Sequence, residues 1–188
     1  MFPIDPRFSP RLDPRNRIAG ELPTSWNYFG NNVFLPEPVG PQLFPAGHTI
    51  SAELEIPDGG AEGVIACAGS FSAGWSLYVK DGKPVFRYTY FEVADVTIPG
   101  TVELPKGEFV LRTEFTPDGS KGGGGTLRLF VNDKPAGDGK LKRSSFRHGL
   151  EPFEVGRDSI TPIDPAYKDK GTSAFTGKIN QIRFERAK

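Results

Sequence analysis

Residues 49–56 read Thr-Ile-Ser-Ala-Glu-Leu-Glu-Ile, and apolar and polar side chains alternate along this stretch without a break. Successive side chains of a β-strand point to opposite faces, so the pattern predicts a strand with one buried and one solvated face. A Pro-Asp-Gly-Gly turn follows at 57–60, and the apolar run 63–68 predicts a second, fully buried strand. These neighbouring strands favour an all-β fold.

The same pattern recurs along the rest of the chain. Residues 75–79 and 84–90 form two candidate strands, and the Asp81-Gly82 pair between them is typical of a tight hairpin turn. Asn132-Asp133 predicts another hairpin turn. Further strands are predicted at 101–104, 109–115, 126–131, 153–156 and 179–186, the last with one break in alternation that indicates a bulge.

No window free of Gly and Pro carries a convincing apolar stripe with the period of a helix. The chain of 188 residues contains 23 Gly and 18 Pro, which interrupt helices and supply turns between short strands. Many short strands separated by turns are typical of a sandwich or a barrel. We predict an antiparallel β-sandwich.

The N-terminal segment differs from the rest in composition. Residues 1–45 contain nine prolines and no sustained periodicity, which predicts an extended Pro-rich arm before a sandwich domain at 46–188. The first residues lack the basic-then-apolar pattern of a signal peptide, and no stretch approaches the roughly 20 apolar residues of a membrane span. We expect no membrane span, and the compartment stays open.

Composition and motifs argue against several function classes. The net charge is zero, which disfavours a chain built to bind nucleic acid. His48 and His148 lack the spacing of a metal site and are predicted to lie on the surface, and the single Cys67 is predicted to be a buried structural thiol. We find neither a nucleophile elbow nor a phosphate-binding loop. Glu53 and Glu55 share one strand face, and we interpret them as solvated rather than as a catalytic pair.

Two groups of side chains are candidates for ligand binding. The aromatic residues Trp75, Tyr88 and Tyr90 offer rings on which a sugar could stack, although most large aromatics of a small sandwich belong to its core. Tyr78 and Phe91 are candidates on the same basis. The basic run 140–148 includes three further candidates for an anionic group such as sulfate, Lys142, Arg143 and Arg147. The alternative for this run is an edge strand protected by its charge.

Two aspartates are weak candidates for a calcium site. Asp158 follows a predicted strand and Asp164 lies in the next loop, and calcium takes oxygen ligands of this kind. The favoured alternative is that Asp158 bonds loop amides and fixes the loop against the closing strand without a metal. We therefore expect no cofactor.

The chain resembles the C-terminal region of long bacterial arylsulfatases in several segments. These segments are 63–66, 74–84, 104–107, 115–119, 124–127, 155–158, 161–162, Tyr167 and 175–179, and residues 3–7 are similar to the connector after the catalytic domain. Residues 175–183 also resemble the closing strand of concanavalin-like and laminin-G-like sandwiches. The resemblance implies a concanavalin-like jelly roll.

The resemblance also implies a function, that of a non-catalytic accessory domain. The Cys- or Ser-x-Pro-x-Arg motif of sulfatases is absent, because Cys67 is followed by Ala-Gly-Ser-Phe. Such a domain would pack on a sulfatase catalytic domain, of the same polypeptide or of a partner chain, and shape the access of a glycan or sulfated substrate. Phe34 departs from the family, where we expect arginine. The alternatives are a stand-alone lectin-like carbohydrate-binding module and a small glycoside-active enzyme on the same fold.

Overall fold

A computed structural model describes residues 23–144, 151–170 and 173–187. Within these residues it contains twelve β-strands and two short 3-10 helices, Glu37–Val39 and Pro165–Lys170. The strands are β1 Ser25–Tyr28, β2 Val33–Leu35, β3 His48–Ile56, β4 Gly63–Gly69, β5 Ala73–Lys80, β6 Lys83–Tyr90, β7 Ala94–Pro99, β8 Gly107–Pro117, β9 Gly125–Val131, β10 Lys134–Leu141, β11 Phe153–Val155 and β12 Lys178–Arg186.

The strands form two six-stranded sheets packed face to face. The first sheet has the order β1-β12-β3-β8-β9-β10, and the second has the order β2-β11-β4-β5-β6-β7. All pairings between these strands are antiparallel. The prediction of an all-β antiparallel sandwich is therefore confirmed. No helix among the described residues has both the length and the apolar character needed to cross a membrane.

The core lies between the sheets and follows the predicted alternation. In β3, Ile50, Ala52 and Leu54 are buried, whereas Glu53 between them is exposed. In β6, Phe86 and Tyr88 point into the same core. The opposite face of β6 carries Arg87 and therefore faces away from the core.

The turns also agree with their sequence signatures. Asp81 and Gly82 have φ values of 51° and 70°, and Asn132 and Asp133 have values of 47° and 62°. Positive φ at both central residues is what a two-residue hairpin turn of the favoured hand requires. The register of β12 shifts between residues 179 and 181, which confirms the predicted bulge.

One predicted strand is wrong. Residues 101–104 form no strand, and the edge of the second sheet is instead β7, Ala94–Pro99. Residue 101 lies in a bend, where Thr101 donates its backbone N–H to the carbonyl of Ala136 at 2.7 Å. Only Ala94 and Ile98 of β7 are buried, so the sequence signal of this edge strand is weak.

Part of the segment predicted as a Pro-rich arm pairs with the two sheets. β1 and β2 lie inside the segment predicted as an arm, and each is the outermost strand of one sheet. Leu43 and Phe44 are buried core residues. Edge positions tolerate neighbouring prolines, because a strand there needs hydrogen bonds on one side only. Residues 1–22 of the predicted arm lie outside the described residues.

His48 is buried, contrary to the prediction of a surface residue, whereas His148 lies outside the described residues. Its Nδ1–H donates to the carbonyl of Ala46 at 2.8 Å, and its ring packs against Phe44 and Phe115. Burial lowers the pKa of His48 to about 4, so the ring is neutral near pH 7. Cys67 is buried as predicted, and burial raises the pKa of its thiol.

Gly156 offers a test of how β11 meets β2. Its φ is 89°, and a Cβ added there would lie 2.2 Å from the backbone oxygen of Asn31. We expect Gly156→Ala to lower the free energy of unfolding by at least about 2 kcal/mol. The alanine would have to adopt a strained positive φ, and the backbone of Asn31 would also have to move away from its Cβ. Urea denaturation would measure this loss.

Gly60→Ala is the matched control for this prediction. Gly60 has a similar φ of 85°, but a Cβ there meets nothing within 4 Å. Its substitution should therefore show only the conformational cost of about 1–2 kcal/mol. Equal losses in the two variants would contradict the close approach of Gly156 to Asn31.

Candidate functional site

A cavity of about 720 Å³ opens on the outer face of the second sheet, and we call it the Arg87 cavity. Its base is formed by β6 and β7, through side chains that point away from the core. One wall is residues 161–165 of the loop after β11, and the opposite rim comes from the turns on either side of β5 and β6. The lining residues are Phe71, Ser72, Arg87, Thr89, Phe91, Glu92, Asp95, Thr161, Pro162, Ile163 and Pro165.

Arg87 is the central polar group of the cavity, and its side chain is 17% exposed. Its Nη1 donates to Thr97 Oγ1 at 2.9 Å, and its Nε donates to the carbonyl of Ile163 at 3.2 Å. Its Nη2 lies 3.0 and 3.1 Å from the two carboxylate oxygens of Asp95. The guanidinium therefore connects the wall of the cavity to both strands of its base.

Two exposed phenyl rings stand at the rim of the cavity. Phe71 is 63% exposed and Phe91 is 57% exposed, which is unusual for rings of this size. Phe91 and Glu92 have positive φ values of 43° and 58°, which residues other than glycine rarely adopt. A hydrogen bond from the Phe91 N–H to the carbonyl of Ser72 links the two turns. Strained backbone of this kind is often found at functional sites.

Residues 156–170, which we call the covering loop, lie over the outer face of β4, β5 and β6. The covering loop packs on these strands through an apolar cluster that is separate from the main core. This cluster consists of Val64, Cys67, Tyr78, Val85, Ile163 and Tyr167. The cluster fixes the part of the covering loop that forms the cavity wall.

Two buried aspartates hold the covering loop by accepting hydrogen bonds from tyrosines. Asp158 Oδ2 accepts from the hydroxyl of Tyr167 and from the N–H of Ile163, the latter at 2.8 Å. Asp164 Oδ2 accepts from the hydroxyl of Tyr78 on β5 at 2.6 Å. Burial raises the pKa of both tyrosines well above the usual value, and the neighbouring aspartates add to the effect. The hydroxyls therefore remain protonated donors.

Burial also raises the pKa of Asp158 from 3.8 to about 6, although its hydrogen bonds oppose this shift. Cys67, Glu154 and Asp158 are the described residues that bring potential metal ligands together, within 4.8 Å of one another. Each of the three already has a protein partner. Cys67 donates to the carbonyl of Arg157, and Glu154 accepts from the N–H and hydroxyl of Ser159, both at 2.7 Å.

The predicted aromatic ligand residues divide between core and surface. Trp75 and Tyr88 have no exposed area and pack between the sheets, so the prediction that a sugar stacks on them is corrected. Tyr90 is half-buried against the core, and its ring contacts Phe91 at 5.1 Å between centroids. Of the aromatic residues that the sequence offered as candidates, Phe91 is therefore the one that lines the cavity with a largely exposed ring.

The predicted charged residues that the structure describes are not part of the cavity lining. Lys142 and Arg143 are exposed beyond β10, the edge strand of the first sheet, and Arg147 lies outside the described residues. Glu53 is exposed, and Glu55 forms an ion pair with Lys178 at 3.2 Å. Among the described residues, neither Lys142 and Arg143 nor the acidic pair Glu53 and Glu55 lines the Arg87 cavity.

Sequence reasoning missed Arg87, Asp95 and Phe71. A signal for Arg87 was present, because residues 84–90 place their aromatics on one strand face and Arg87 on the other. The association with Asp95 depends on the register of β6 with β7, a strand that the sequence did not reveal. Phe71 follows the apolar run and resembled any other turn residue.

Comparisons with solved structures agree on the fold. Mouse laminin α1 chain domains LG4–5 match with a TM-score of 0.57 at 12% identity, over 87% of this chain and 42% of that chain. The CBM40 domain of Ruminococcus gnavus IT-sialidase, solved with α2,6-sialyllactose, matches with a TM-score of 0.53 at 12% identity, over 86% and 92%. The NanB sialidase of Streptococcus pneumoniae matches with a TM-score of 0.57 at 10% identity, over 87% and 26%.

The chain has a concanavalin-like, jelly-roll β-sandwich fold. It spans less than half of the laminin and NanB chains but nearly all of the CBM40 domain. At these identities the similarity concerns the fold alone. No family model matches the sequence, and no curated protein matches it either. None of the three neighbours named above is a sulfatase.

The role of Asp158 in holding the covering loop can be tested directly. Asp158→Ala leaves the Tyr167 hydroxyl and the Ile163 N–H without their acceptor. We expect a loss of about 1–3 kcal/mol in the free energy of unfolding at pH 7. The loss should be the same with calcium or with a chelator, as followed by thermal melting. A wild-type melting temperature that rises by several degrees with calcium, in contrast to an unresponsive variant, would indicate a metal site instead.

Asp158→Asn is the conservative control and adds a pH dependence. The folded pKa is raised from 3.8 to about 6, so the folded state binds the proton more tightly than the unfolded chain. Stability from this group is present at low pH and is lost as the pH rises from about 4 to 6. The stability of the wild type relative to Asp158→Asn should therefore be greater at pH 4 than at pH 7. The same difference at both pH values would contradict the buried environment of Asp158.

Proposed function

We propose that this domain binds carbohydrate in the Arg87 cavity. The observation that carries the proposal is the combination of two exposed phenyl rings with an ordered polar base in one concave site. A sugar ring has apolar C–H faces and hydroxyls at its edge, so it matches a site with aromatic faces and a few fixed polar groups. A volume of about 720 Å³ lies within the range of about 300–1,000 Å³ that small-molecule sites have.

The fold supports this function more than it supports the sulfatase role. The CBM40 domain that shares the sandwich was solved with sialyllactose, and this chain covers 92% of that domain. On this proposal the chain recognises a glycan and needs no catalytic residues of its own.

The proposal predicts that Phe91→Ala lowers glycan affinity at least about tenfold, which corresponds to about 1.4 kcal/mol of lost contact. Thermal melting should stay unchanged, because the ring is 57% exposed. A glycan array with neutral, sialylated and sulfated members would identify the ligand, and calorimetry would measure its affinity for each variant.

Phe29→Ala is the matched control, because Phe29 is also an exposed phenyl, at 69%, and is not part of the cavity lining. The affinity of the Phe29→Ala variant for the glycan should equal that of the wild type. The absence of binding to every member of the array, or an equal loss in both variants, would overturn the proposal.

A second candidate function is docking onto a sulfatase catalytic domain, as the sequence resemblance implies. The observation that favours it is a set of exposed apolar side chains near the start of the described chain, where β2 is an edge strand. These are Phe29, Phe34 and Val39, which are 69%, 52% and 59% exposed. Exposed apolar groups of this size are a feature of contact surfaces.

This docking would be tested by sedimentation of the chain with the catalytic domain of a long bacterial arylsulfatase. We expect a complex that Phe34→Ser weakens at least about tenfold, because an apolar contact is removed. Phe71→Ser, which alters the Arg87 cavity, should leave the complex intact. Failure to form any complex, or equal sensitivity to both variants, would contradict docking through β2.

A further inference from the structure

The charges around the Arg87 cavity have a negative balance. Its lining contains one cation, Arg87, and two anions, Glu92 and Asp95. A further carboxylate, that of Asp164, lies behind the guanidinium, with its Oδ2 at 3.9 Å from Arg87 Nε. Among the described residues that line the cavity, a ligand therefore meets more negative than positive charge.

Arg87 is already committed to protein acceptors. Three of its five N–H groups donate to Ile163, Thr97 and Asp95, one from each nitrogen. Pairing of a guanidinium with an anionic ligand uses two parallel N–H bonds on one side of the fork. The Nη2 nitrogen lies 3.0 and 3.1 Å from the two carboxylate oxygens of Asp95. An anionic ligand that pairs with Nη2 would therefore lie beside this carboxylate and meet its negative charge.

Asp95 is the group that remains available to a ligand. Its side chain is 57% exposed, and each oxygen has more than one lone pair, so contact with Arg87 leaves acceptor capacity free. Arg87 fixes the orientation of this carboxylate before a ligand arrives. A hydroxyl that donates to an ionised carboxylate forms a stronger hydrogen bond than one between neutral groups. Two adjacent hydroxyls fit the two oxygens of one carboxylate.

We propose that the Arg87 cavity selects neutral saccharides, through adjacent hydroxyls that donate to Asp95 and a sugar face that packs on Phe91. Saccharides with a carboxylate or a sulfate are excluded by Asp95 and Glu92. This inference rests on the proposed carbohydrate-binding function and assigns its ligand class. It separates this chain from its CBM40 neighbour, whose sialylated ligand carries a carboxylate.

The test uses pairs of glycans that differ only in charge. The chain is applied at low ionic strength to an array of neutral glycans and of the same glycans capped with sialic acid or sulfate. Calorimetry then measures the affinity of the chain for the neutral glycan with the strongest signal and for its two charged counterparts. We expect the charged members to bind at least about tenfold more weakly, and added salt to reduce the difference, because the repulsion is electrostatic.

Asp95→Asn tests the residue that carries the inference. We expect the substitution to lower the affinity for the neutral glycan about tenfold or more, because the amide accepts a hydrogen bond less strongly than the carboxylate. The difference in affinity between the neutral and the sulfated glycan should also become smaller, because the amide does not repel an anion. Asp58→Asn is the matched control, since Asp58 is an exposed acid in the turn after β3 and is not part of the cavity lining. Asp58→Asn should change neither the affinity for the neutral glycan nor that for the sulfated glycan.

The outcomes separate this inference from the proposal on which it rests. Tighter binding of sialylated or sulfated glycans, with loss of that binding in Phe91→Ala, would overturn the neutral ligand class and keep the carbohydrate function. Binding of neutral glycans that Asp95→Asn leaves unchanged would also overturn the assigned contact. A chain that binds no glycan on the array overturns both.

Discussion

A layer of aromatic rings between the two sheets is the contact on which the remaining structure depends. Phe153 and Phe184, from opposite sheets, meet at 5.3 Å between ring centroids, and Trp75 lies within 6.4 Å of both. Burial of such rings supplies much of the apolar area that a sandwich removes from water. Because each strand alternates faces, fixing these rings inside also fixes which side chains point outward.

The outer face of the second sheet follows from this constraint. With Phe86 and Tyr88 directed inward, Arg87 must point outward, into a region that the covering loop partly closes. The loop is held by hydrogen bonds from Tyr78 and Tyr167 to buried aspartates, and the Arg87 guanidinium also contacts its backbone. Core packing, loop attachment and cavity shape are therefore linked through neighbouring residues of one strand.

Alternation in the sequence was sufficient to predict the class of the fold and most strands, because burial of one face acts residue by residue. It could not predict β1 and β2, whose few residues pair only at sheet edges and carry little periodicity. The cavity was beyond reach for a different reason. Arg87 and Asp95 are brought together by strand register, and residues 161–165 arrive from a loop more than 60 residues away in sequence.

The aromatic residues show why composition alone does not locate a binding surface. Tyr88 and Phe91 lie three positions apart, yet Tyr88 has no exposed area and Phe91 is 57% exposed. The difference arises where β6 ends, because Phe91 adopts a positive φ and leaves the alternation of the strand. A largely exposed ring gains only part of the hydrophobic stabilisation that full burial would provide, and its backbone is also strained here. Both costs fall on the rim of a cavity with an ordered polar base, where a ligand that packs on the ring would recover part of them.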